Sequence, residues 1–257
     1  MIQNIKYLAA VAMGALCATA CQEDEEKLTR DKQDFEDNSE VVEVVEHMVV
    51  EPNAMDLGLS VLWGTTNLGA ETESDYGNYY AWGDTAVRSK STLETYVLYK
   101  DTAEETNAKI KLLQSGYLKY CYDEKLAYNK HSDTLFTLLP ADDVAQVKLG
   151  GKWRMPTRDE FKELSEKCKL EWTTMNDVKG FKVTGPTGNF IFLPAAGSRY
   201  DDRLAYAGTY GDYWSSQIYF GDANYASGIG FNAEYFYVQS GNKRYYAQPV
   251  RPVKDKE

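Results

Sequence analysis

The sequence predicts an α+β domain of short mixed strands, one or two helices and long loops. Three observations carry that reading. A helix start with a capping box is written at Thr157-Arg158-Asp159-Glu160. Beyond that helix the chain breaks into short alternating apolar runs separated by Gly, Asn and Asp. Ten of the chain's 20 tyrosines fall between residues 199 and 246, inside that strand-rich half.

Residues 1–20 have the layout of a secretory signal: Lys6, an apolar run over 7–16, then Ala18, Thr19 and Ala20. The run is shorter than the roughly 20 residues that a membrane-spanning helix needs. Ala18-Thr19-Ala20-Cys21 resembles a bacterial lipobox without its usual leucine, so Cys21 is expected to carry acyl chains, palmitate among them. Cys17 competes for that role, but Leu16 before it is a poor fit for a peptidase that wants a small residue. The other reading is an ordinary signal cut that leaves Cys21 as a free thiol. The cluster Gln22-Glu23-Asp24-Glu25-Glu26 resembles the surface-export signal of lipoproteins in the Bacteroides group, and it reads equally as solvated charge on a leash. These features place the mature protein at the outer membrane, facing the cell exterior.

The formal net charge is −11, and its distribution is uneven. Between residues 22 and 51, twelve Asp or Glu stand against Lys27, Arg30 and Lys32, so residues 52–257 are only slightly acidic. Such a segment buries too little apolar surface to offset its ordering entropy. Residues 21–51 are therefore expected to be a disordered tether, with Val41-Val42-Glu43-Val44-Val45 adding a local strand at its end. Residues 52–257 are expected to form one domain. Lys and Arg are scattered singly, which argues against nucleic acid as a partner.

Within the domain, Leu57, Leu59 and Val61 alternate ahead of Leu62-Trp63 and read as a strand over 57–63. Residues 64–78 are turn-rich and lead to Tyr79-Tyr80-Ala81-Trp82-Gly83-Asp84. Residues 85–140 are polar and irregular and read as a surface insertion, apart from 103–118, where Ile110, Leu113 and Tyr117 fall at helical spacing. A short helix over 142–148, with Asp142 at its N-terminus, is stopped by Gly150-Gly151. The capping box then starts a second helix at Arg158, with Phe161, Leu164 and Cys168 on one face. Gly180-Phe181-Lys182-Val183-Thr184 and Asn189-Phe190-Ile191-Phe192-Leu193 flank a Gly-Pro-Thr-Gly turn and read as a hairpin. Tyr213-Trp214-Ser215-Ser216, 226–231, 235–238 and 246–253 are further strands.

Six motifs run in order across residues 55–253: Asp56-Leu57-Gly58-Leu59-Ser60-Val61, Tyr80-Ala81-Trp82-Gly83, Trp153-Arg154-Met155-Pro156-Thr157, Phe192-Leu193-Pro194-Ala195-Ala196-Gly197, Tyr213-Trp214-Ser215-Ser216 and Val250-Arg251-Pro252-Val253. Together they resemble the Fibrobacter succinogenes major paralogous domain family. The resemblance implies a C-type lectin-like or formylglycine-generating-enzyme-like fold, in which the first and last strands pair, here 57–63 with 248–253. Formylglycine-generating enzymes need a redox-active cysteine late in the domain, and no cysteine follows Cys168. The resemblance therefore implies a non-enzymatic member. Variable proteins of diversity-generating retroelements are related and display a ligand face near the C-terminus of this kind of scaffold.

The residues offer little material for other chemistry. His47 and His131 are the chain's 2 histidines, in the tether and the irregular segment, so a His-based nucleophile site or a zinc site lacks partners. Glu51-Pro52-Asn53 matches a calcium- and mannose-holding tripeptide of C-type lectins but precedes the first strand, where chance explains it better. Asp142-Asp143 and Asp201-Asp202 lack the spacing of a calcium loop. No cofactor and no metal are expected. Cys121 and Cys168 either pair as a disulfide, which an oxidising exterior allows, or remain thiols. The candidates for ligand contact in the tyrosine-rich stretch are Arg199, Tyr200, Arg203, Tyr210, Tyr219 and Tyr235. The expected function is glycan or protein binding in adhesion or display. A structural subunit of a surface filament or envelope layer and a polysaccharide hydrolase are the alternatives.

Overall fold

Small antiparallel sheets and two short helices build the computed structural model, which describes residues 44–45, 49–101 and 115–257. The signal segment, Cys21, the acidic cluster after it, His47 and residues 103–114 of the expected helix lie outside the described residues. In chain order the first strands are β1 (Val44–Val45), β2 (Ala54–Met55), β3 (Leu62–Gly64), β4 (Tyr80–Ala81), β5 (Val87–Arg88), β6 (Tyr99–Lys100) and β7 (Gly116–Tyr117). Helix α1 (Val144–Leu149), strand β8 (Trp153–Arg154) and helix α2 (Arg158–Lys167) follow. The second half holds β9 (Lys169–Met175), β10 (Val178–Thr184), β11 (Phe190–Pro194), β12 (Ser198–Tyr200), β13 (Arg203–Ala205), β14 (Gly211–Ile218), β15 (Tyr225–Phe231), β16 (Phe236–Lys243), β17 (Ala247–Gln248) and β18 (Val253–Lys254).

The chain joins this unit ahead of residue 52, where the sequence placed the domain boundary. β1 pairs with β5, and the Glu51 carboxylate accepts a bond from Trp153 Nε1 at 2.7 Å. The described residues belong to the unit Val42–Glu257. The tether read as ending at 51 is thus already engaged at Val44.

The pairing of first and last strands is present, with Val253 opposite Trp63 and Lys254 opposite Leu62, and β8 on the other side of β18. Its extent differs from expectation. Leu57, Leu59 and Val61 are buried and Gly58 and Ser60 exposed, as alternation requires, but only Leu62–Gly64 forms a ladder. Gly58 has φ +81 and its amide is held by the Asp56 carboxylate, which turns the chain before a strand can form. The expected strand over 246–253 is likewise split into β17, which pairs with β4 and β12, and β18.

Both helices begin as their caps dictate. The Thr157 hydroxyl accepts from the Glu160 amide while the Glu160 carboxylate accepts from the Thr157 amide. At α1 the cap is Asp143 rather than Asp142: its carboxylate accepts the amides of Ala145, Gln146 and Met155. Asp142 instead receives Lys119 Nζ and the Tyr120 hydroxyl. Gly150, at φ +68, ends the helix.

The described parts of 85–140, residues 85–101 and 115–140, are not a surface insertion. Tyr96, Leu98, Tyr117, Tyr120, Cys121, Ala127 and Leu138 are buried in a cluster with Trp82 and Trp214. The helical spacing read through Tyr117 fails at its end, because Gly116–Tyr117 is a strand paired with Tyr99–Lys100. A second cluster gathers Trp63, Phe161, Leu164, Val183, Ile191, Tyr213 and Phe231. Cys121 sits in the first cluster and Cys168 beside the second, and both are free thiols, so the disulfide alternative fails.

The sheet β14-β15-β16 stands between the clusters, and its pleat explains what each face does. Tyr213, Ile229 and Val238 are cross-strand partners, as are Gly211, Phe231 and Phe236, and all but the glycine pack with the second cluster around α2. The opposite face carries Asp212, Gly230 and Tyr237 in one row and Trp214, Gly228 and Ser240 near the next. The expected hairpin is β10 and β11, and β9 extends it to three strands.

Candidate functional site

On that second face lies a cleft of about 520 Å³ lined by Ser198, Tyr200, Tyr206, Tyr210, Asp212, Ser240, Asn242 and Tyr246. Its walls come from separate elements. β12 and β13 form a hairpin across Tyr200 and Arg203, turned by Asp201 at φ +56, which sets Ser198 and Tyr200 on one side. Tyr206, at φ +62, closes the next turn by accepting the amides of Thr209 and Tyr210 at its carbonyl. Tyr246 packs against Tyr200 with ring centroids 5.7 Å apart. The Tyr210 side chain runs across the middle strand: a Cβ added at Gly230 would stand 2.5 Å from its hydroxyl. Gly230 is thus the residue that leaves room for a phenol at the cleft floor.

Asp212 is the floor's polar centre. Its side chain is 94% buried by residue accessibility, being 6% exposed. Asn242 Nδ2 donates to Oδ1 at 3.1 Å, and the Ser198 hydroxyl bonds the same carboxyl. Burial pushes its pKa up to about 6, with those two bonds pulling the other way. Tyr210 is held above the ordinary phenol range by burial first and by the Asp212 charge beside it second. The lining contains no Lys or Arg and a single carboxyl group.

Of the six candidates read from sequence, Tyr200 and Tyr210 line this cleft. Tyr235 stands behind Tyr210, edge to face at 6.2 Å. The other three point elsewhere. The Arg199 guanidinium lies 6.0 Å from the centre of the Tyr79 ring, Arg203 is exposed beside Asp202, and Tyr219 covers Gly241 and meets Tyr225. Sequence reasoning missed Ser198, Tyr206, Asp212, Ser240, Asn242 and Tyr246. One signal was present for Asp212: a lone acid directly before Tyr213-Trp214 in a run, 204–221, otherwise free of charge.

The other sequence motifs fasten the fold. Trp82 Nε1 donates to the Ser215 carbonyl and Trp214 Nε1 to the Tyr80 carbonyl, both at 2.9 Å, so two motifs clasp each other. The Tyr213 hydroxyl donates to the Pro194 carbonyl. Arg251, fully buried, donates to the carbonyls of Gly64, Thr65 and Phe192 and to the Asn67 side chain. Among the described residues, no group of three or more His, Cys, Asp and Glu is placed to hold a metal, and no helix is long and apolar enough to cross a membrane. No family model, curated protein or solved structure matches the chain.

Proposed function

We propose that the chain is a lipid-anchored surface protein of the bacterial outer membrane whose lectin-like head binds a glycan without turning it over. The observation that carries this is the tyrosine-walled cleft with Asp212, Asn242 and two serines at its floor. Phenol rings present flat apolar faces to the apolar faces of sugar rings, and carboxylate, amide and hydroxyl groups match sugar hydroxyls. A volume of about 520 Å³ suits a small ligand rather than a protein face. A glycosidase ordinarily works with two carboxyl groups, and the lining has one, which puts binding ahead of hydrolysis. The antiparallel join of β3 with β18 supports the lectin-like assignment and, with it, membership of the paralogous-domain family.

A glycan array with the soluble head tests the reading. Specific binding that is lost in Tyr200→Ala and Tyr246→Ala, at unchanged thermal stability, is the expected result. Binding to no glycan, or binding indifferent to both substitutions, refutes it. The anchor is tested separately: Cys21→Ser is expected to release the protein from the membrane fraction and to abolish labelling with palmitate.

One observation favours a second reading, assembly into a surface layer. Tyr122, Phe136 and Phe220 form a row with centroids 5.9 and 5.8 Å apart, and Phe220 is 72% exposed. Concentration-dependent association that Phe220→Ser abolishes would establish it; a monomer at all concentrations would remove it.

A further inference from the structure

Resting on the glycan-binding reading and going further into the same cleft, we propose that the sugar it selects carries a free amino group, its ammonium held between tyrosine rings and the Asp212 carboxylate. Asp212 has no charged partner in the cleft lining. Its carboxyl is buried at the floor of an open cleft, and the two groups bonded to it, Asn242 and Ser198, are neutral. A buried carboxylate is ordinarily paired with a cation, and among the described residues no Lys or Arg lines the cleft.

The nearest candidates are engaged elsewhere. Arg199, on β12 beside Ser198, lies over the Tyr79 ring, and Lys243, next to Asn242, lies 4.2 Å from the centre of the Tyr225 ring. The groups that face Asp212 from the surrounding elements are tyrosines: 200, 206, 210 and 246 in the lining, with 235 and 237 behind Tyr210. Phenols are uncharged near neutral pH, and their ring faces attract cations. A floor with one uncompensated negative charge and walls of electron-rich rings is therefore complementary to an organic ammonium group. An N-acetylated or purely neutral sugar would leave the carboxylate as unpaired as the empty cleft does.

The experiment is a calorimetric titration of the soluble head with methyl glucosaminide, methyl N-acetylglucosaminide, methyl glucoside and N-acetyl-lysine amide. Near pH 7 the amine-bearing sugar is expected to bind roughly tenfold more tightly than either neutral sugar. That preference is expected to vanish near pH 4.5, where Asp212 is protonated, and in Asp212→Asn, whose amide retains the shape of the floor. Equal binding of all three sugars would overturn the ammonium proposal and leave glycan binding standing. Tight binding of the lysine amide with weak binding of the glucosaminide would overturn the assignment to a sugar. Binding of no sugar at all would overturn both the proposal and the reading on which it rests. Circular dichroism of Asp212→Asn, expected to match the parent, separates loss of selectivity from loss of fold.

Discussion

Arg251 brings a guanidinium into the interior, where neutral oxygens accept its hydrogen bonds. Four bonds to Gly64, Thr65, Asn67 and Phe192 tie two chain segments to one side chain, and burial pulls its pKa down to about 10, still well above neutral. Arg244 is built on the same plan: it reaches the carbonyls of Lys119, Tyr120 and Ala223 and lies 4.3 Å from the centre of the Tyr117 ring. Removing such a group orphans several buried carbonyls at once, so Arg251→Ala is expected to cost about 3–5 kcal/mol in denaturant unfolding. Asp212 carries the opposite sign of effect. Its folded pKa of about 6 lies above the ordinary carboxylate value, so the folded state holds its proton more tightly than the unfolded state. Stability from this group is complete below about pH 4 and is lost as pH rises through 6. Asp212→Asn is therefore expected to raise stability by about 2 kcal/mol near pH 8 and to change it little near pH 3.5, read from melting temperatures at the two pH values. A stabilising substitution that destroys binding would mark Asp212 as kept for its ligand.

At the scale of elements, the β9–β10 hairpin turns on Asn176 and Asp177, with φ of +48 and +63. Two consecutive left-handed residues are the signature of a type I′ turn. Asn176 also donates to the Ser74 hydroxyl, whereas Asp177 is exposed. Asp177→Gly is expected to stabilise the domain by about 0.5–1 kcal/mol, measured by thermal unfolding. This hairpin marks the limit of what the sequence discloses. Helix α2 was legible because its cap and its Phe161-Leu164 spacing are local signals. β9 was not, because Lys169, Glu171 and Thr174 alternate with half-buried rather than apolar-core residues, which blurs the period of two. The cleft was legible only as a tyrosine-rich stretch. Ser198, Asp212 and Asn242 meet across three strands, and register shifts at Trp214/Ile218 and Gly228/Ile229 decide who faces whom. Likewise Tyr219 and Arg199 were sound by composition and misplaced by the pleat.

For the whole molecule, the boundary of the folded unit is the first consequence. A fragment of residues 42–257 is expected to match the whole chain in unfolding midpoint. One that starts at 52 is expected to unfold at a lower midpoint, because β1 and the Glu51 bond to Trp153 go with it. Equal midpoints for the two fragments would show that these contacts contribute nothing.

The position of β18 reaches further than stability. The last strand lies between β3 and β8, and Arg251 two residues before it holds the loop after β3. A chain that emerges N-terminus first has neither until β18 is free. Closure of the domain waits for β18, and the strands on either side of it stay without their shared partner until it arrives.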